Sequence, residues 1–120
     1  MVSPYELQKF DSSPIRTLTV LVPANSREKF ISRLKKFAEV NGFSQRIKPI
    51  HPVDPQFGID LWRDDIGIFG DNLHGDIEFS LGFYPNKSTP ISEVAADGIV
   101  ESLIKEISNV AGVTSSVVNH

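Results

Sequence analysis

From residue 77 to residue 84 apolar and polar positions alternate without a break. Ile77, Phe79, Leu81 and Phe83 fall on one side, and Glu78, Ser80, Gly82 and Tyr84 on the other. A period of two marks a strand with one face on a core. The surrounding stretch, residues 59–84, carries the only Trp and is expected to form a central β-hairpin. Its first arm, residues 59–69, changes phase: Ile59 and Leu61 are odd, Ile66 and Ile68 even, with Asp64 and Asp65 between them. A bulge or twist near residues 63–65 would keep both pairs inward. Residues 70–76, GDNLHGD, supply the turn into the second arm.

The same patterning divides the rest of the chain. Residues 1–14 read as an irregular arm anchored by Tyr5, Leu7 and Phe10. Residues 15–22 are largely apolar or β-branched on both faces, as in a strand with neighbours on each side, and Pro23 closes them. Asn25 or Ser26 then caps a helix that runs to about Asn41 and stops at Gly42, with Phe30, Ile31, Leu34, Phe37 and Ala38 as its buried stripe. Residues 43–50 form a second strand, ended by a loop that Pro49, Pro52 and Pro55 keep extended. Thr89 and Pro90 read as the cap and first residue of a second helix reaching about Asn109. Its stripe runs through Ile91, Val94, Ala95, Ile99, Val100, Leu103, Ile104 and Ile107. Gly98 inside it costs about 1 kcal/mol relative to Ala, which points to close packing or a weak point. Residues 113–118 have room for a short last strand.

The order is β-α-β-β-β-α with room for a final β. It predicts an α+β two-layer sandwich: a mainly antiparallel, four- to five-stranded sheet with two helices on one face. It resembles the ferredoxin-like arrangement, in which a hairpin sits between two helices. That resemblance is one of topology and implies no functional residues. A chain of 120 residues suits a single domain.

Composition then excludes several classes. Without cysteine there can be no disulfide, thiolate metal site or cysteine nucleophile. The longest uncharged apolar run, residues 18–24, is too short to cross a bilayer. The first residues show no cationic flank followed by an apolar block, so a cytoplasmic protein without membrane contact is expected. The net charge of −3 is unevenly spread. Residues 27–48 hold seven basic and two acidic side chains, residues 54–78 seven acidic ones and Arg63, so the chain is a charge dipole in sequence.

The candidate chemistry lies on the outward positions of the hairpin. Asp60, Trp62, Asp64, Glu78 and Tyr84 would set two aromatics among carboxylates on a sheet face, the composition of a protein-binding hot spot selective for a basic partner. The leading expectation is a non-enzymatic binding module acting through protein contact or homodimerisation, in one version an inhibitor of the toxin-immunity type. The alternative is a small-molecule or divalent-metal-dependent enzyme using Asp64, Asp65, Glu78 and His74, helped by Asn72. No catalytic residue, cofactor or metal ligand set is assigned. The acids fit no calcium loop, His51, His74 and His120 are scattered, and no Ser or Thr occupies a strand-to-helix elbow. The third reading is nucleic-acid binding through Arg27, Arg33, Lys36, Arg46 and Lys48, against which the acidic balance and scarcity of stacking aromatics argue.

Overall fold

The computed structural model describes residues 8–50 and 56–120. Tyr5, Leu7, His51, Pro52 and Pro55 lie outside the described residues. Within them the alternating segments become six strands, β1 (Arg16–Leu21), β2 (Ser44–Pro49), β3 (Phe57–Trp62), β4 (Ile66–Asp71), β5 (Glu78–Pro85) and β6 (Thr114–Asn119). Helix α1 (Arg27–Val40) joins β1 to β2, and α2 (Glu93–Ile107) joins β5 to β6. The sheet order is β2-β3-β4-β5-β1-β6 with every pairing antiparallel, so β1 does lie between two strands.

The expected four to five strands become six because the phase change at residues 63–65 is a chain reversal, not a bulge. Trp62 and Gly67 are register partners, and the Arg63 N–H donates to the Ile66 carbonyl across the turn at 3.1 Å. The Arg63 guanidinium holds both Asp65 oxygens, at 2.6 and 3.1 Å, and donates to the Asn41 carbonyl at the end of α1. It also lies 4.8 Å from the centre of the Phe43 ring, a cation–π contact. Reversal explains the parity switch: Ile59 and Leu61 on β3 and Ile66 and Ile68 on β4 all point inward and are fully buried.

Helix α1 ends as the sequence suggests. Gly42 has φ of 75°, the Phe43 N–H donates back to the Ala38 carbonyl at 2.8 Å, and the Phe37 and Phe43 rings stack at 5.6 Å. This is a Schellman stop with its apolar clasp. The Ser26 hydroxyl does not cap the helix but donates to the Ala111 carbonyl. The start of α2 differs from expectation: Ser92, not Thr89, is the cap, its hydroxyl accepting from the Ala95 N–H at 3.1 Å. The Thr89 N–H is already engaged by Asn86 Oδ1, together with that of Ser88. Helix α2 buries Ala96, Ile99, Val100, Leu103 and Ile107, whereas Val94, expected in its stripe, stays 84% exposed. Gly98 is not closely packed: a Cβ there would meet nothing within 4 Å. Ile77, expected inward, precedes β5 and is exposed.

Both helix stripes and the inward residues of β1, β3, β4 and β5 form one buried cluster. Arg16 is the exception on that side. It is 6% exposed and donates to Asp97 at 2.9 Å, to Glu93 at 3.4 Å and to the Ile15 carbonyl at 2.7 Å. The hydrogen bond to Asp97 holds its pKa above the ordinary arginine value against the opposing effect of desolvation. Among the described residues, no helix is long and apolar enough to cross a membrane.

Candidate functional site

Helices α1 and α2 both pack on one side of the sheet, and the other side is covered by neither of them. Register partners share a face in an antiparallel sheet, so the pairings define what this outer face carries. One row across the sheet is Ser44, Trp62, Gly67 and Tyr84. The next is Arg46, Asp60, Phe69, Gly82, Thr17 and Val118. Beyond it run Lys48, Gly58, Asp71, Ser80, Thr19 and Ser116.

The centre of this face is a square of two rings and two glycines. Phe69 and Gly67 stand on β4, Gly82 and Tyr84 opposite them on β5. A Cβ on Gly67 would overlap the Phe69 ring, and one on Gly82 would come within 2.6 Å of the Tyr84 ring. Each ring therefore lies down over the glycine two residues before it, and the centroids sit 5.8 Å apart. Phe10, bridged to Asn86 and almost wholly buried, closes one side with an edge-on contact to Phe69 at 5.5 Å. The two ring planes are tilted 45° to each other, and an aromatic π face is a surface on which a planar or cationic group stacks.

Beside the rings is a depression of about 210 Å³ lined by Thr17, Asp71, His74, Ser80 and the two rings. Its far wall is held by Asn72, a fully buried amide whose Oδ1 accepts from the Phe57 N–H at 2.7 Å and whose Nδ2 donates to the Asp76 carbonyl at 2.8 Å. Asp71 Oδ1 accepts from the Leu73 N–H. His120 reaches the same face, its Nε2 sharing a 2.7 Å hydrogen bond with Thr17 Oγ1.

The structure brings together only part of the sequence-derived set. Trp62, Tyr84 and Asp60 share the outer face, with Trp62 half-buried. Asp60 stands opposite Arg46 in the β2–β3 register. Asp64 lies at the tip of the β3–β4 turn, where its carbonyl accepts from Asn86 Nδ2 at 2.7 Å. Glu78 is at the other end of the sheet, beside Leu21. Asp64 and Asp65 lie beside the far end of β5 from Glu78, so these acids are not brought together, and among the described residues no three His, Asp or Glu converge as a metal site. Asn72 is committed to backbone groups. The nucleic-acid set is divided as well: Arg46 and Lys48 point to the outer face, whereas Arg27 and Arg33 sit on α1 behind the sheet. Arg33 pairs with Glu106 at 2.9 Å, and Arg27 donates to the Asp76 carbonyl. The sequence dipole thus folds back on itself.

Phe69 and Phe10 were not among the expected site residues. The signal for Phe69 was present: G-x-F on β4 and G-x-Y on β5 each place a glycine and a ring on one face. Compared with protein-family models and with curated proteins, the chain matches none.

Proposed function

We propose that this chain is a non-enzymatic, cytoplasmic binding module whose outer sheet face receives another protein, and that the partner presents an arginine or lysine to the depression beside Phe69 and Tyr84. The observation that carries the reading is the pair of rings packed over Gly67 and Gly82, with Asp71 lining the same depression. Two aromatic rings and one carboxylate are complementary to a side chain that is cationic at its tip and apolar along its stem. At about 210 Å³ the depression is smaller than pockets that enclose whole small-molecule ligands, and it suits a single inserted side chain. One form of such a module is an inhibitor of the toxin-immunity type that covers a basic active site.

The architecture is read as a two-layer sandwich of ferredoxin-like descent. In the order β6-β1-β5-β4-β3-β2, the first four strands stand in the four-stranded arrangement and the edge hairpin β2–β3 is the addition to it, supplying Arg46, Asp60 and Trp62.

The test is amide chemical-shift mapping during titration with an arginine-containing peptide and with the same peptide carrying citrulline instead. Shifts at Phe69, Asp71, Ser80 and Tyr84, weakened about tenfold in Asp71→Asn and by citrulline, are expected. Shifts confined to the helices, or equal for both peptides, would sink the reading.

A further inference from the structure

The two edges of the sheet are built differently. Strand β2, SQRIKP, carries Arg46, Lys48 and Pro49, the charges and proline that keep an edge from pairing with another chain. Strand β6, TSSVVN, has no charge and no proline, and all six of its residues are exposed. Val117 and Val118 are 41% and 51% exposed.

The phase of the ladder identifies the open backbone groups. The His120 N–H donates to the Ile15 carbonyl, and Thr114, Ser116 and Val118 pair with Leu21, Thr19 and Thr17. Even-numbered residues of β6 therefore turn their N–H and C=O toward β1. Those of Ser115, Val117 and Asn119 point away from the sheet, and no described strand lies there.

We propose that β6 pairs with β6 of a second copy of this chain, antiparallel about a two-fold axis at Val117, joining two six-stranded sheets into one. This register sets Val117 against Val117 and Ser115 against Asn119, so that every open N–H and C=O of both strands finds a partner. Ser116 falls against Val118 on the outer face. Because β6 is uncharged, self-pairing brings no like charges together, which β2 could not avoid. A two-fold interface requires such self-complementarity. The inference does not rest on the outer-face reading, and it would place two copies of that face on one continuous sheet.

Sedimentation equilibrium of the full chain in the micromolar range is expected to give twice the 13.3 kDa chain mass. Val117→Pro removes an N–H that points away from β1, and an edge strand tolerates proline there. It should weaken the dimer at least about tenfold without lowering the melting temperature of the monomer. Val118→Pro, whose N–H is committed to Thr17, should lower that temperature instead. Val117→Lys places two cations on the axis and should weaken the dimer in a manner that salt relieves. A monomer throughout the range, a dimer indifferent to Val117→Pro, or a dimer broken by Tyr84→Ala but not by Val117→Pro would overturn the proposal.

Discussion

Two glycines with open space around them should respond to alanine in opposite directions. Gly98 lies within α2, where a Cβ would meet nothing within 4 Å, and its φ is not positive. Alanine there keeps the helix geometry, adds no clash and narrows the unfolded ensemble, so Gly98→Ala should stabilise by about 0.5–1 kcal/mol. Gly42 is equally uncrowded but has φ of 75°. A side chain in that conformation costs about 1–2 kcal/mol, only partly offset by the same unfolded-state gain, so Gly42→Ala should destabilise by about 1 kcal/mol. Unfolding entropy of about 2.1 cal/mol/K per residue makes 1 kcal/mol worth about 4 °C for a chain of 120 residues. The two variants should therefore melt about 6–8 °C apart on either side of the parent. Circular dichroism melts, with urea midpoints at unchanged slope, provide the measurement. Shifts of the same sign would refute the reasoning, because the two sites differ in backbone conformation and not in room.

Two further predictions concern the supports of the site. Asn72→Ala should cost about 2 kcal/mol by urea midpoint, since it leaves the Phe57 N–H and the Asp76 carbonyl without their side-chain partner, and hydrogen exchange should quicken across residues 73–75. Ser92→Ala should cost about 1 kcal/mol while Thr89→Ala stays within about 0.5 kcal/mol of the parent. The reverse ranking would return the start of α2 to Thr89.

What could be read from the chain depended on how local its cause was. The alternation along β5, the stripe of α1 and the stop at Gly42 are set by neighbours in sequence, and the structure reproduces them. The turn at residues 63–65 leaves no local mark in the sequence, because WRDDI contains none of the glycine, asparagine or proline that marks a hairpin. A salt bridge and a carbonyl of α1 hold it instead. The cap of α2 was a choice between two suitable residues, decided by Asn86, which engages the Ser88 and Thr89 N–H groups. At the candidate site, parity alone placed Trp62 and Tyr84 outward. That Phe69 stands beside Tyr84, and Asp60 opposite Arg46, required the strand order. Phe10 reaches the rings only through tertiary structure, which no period in the sequence announces.

Arg16 has a consequence for how β1 is aligned. Strand β1 is neighbour to both β5 and β6, so its register sets the alignment of half the sheet. A slip of one residue would turn Leu18 and Val20 outward and bring Thr17 and Thr19 beneath the helices. It would also carry the guanidinium to the outer face and strip Asp97 of its partner. Apolar burial alone distinguishes these alignments less sharply, because Leu21 and the threonine methyl groups would recover part of the loss. The Arg16–Asp97 pair has no equivalent in the slipped arrangement. It acts as a key that admits one alignment of β1, and so indirectly fixes which backbone groups β6 turns away from the sheet.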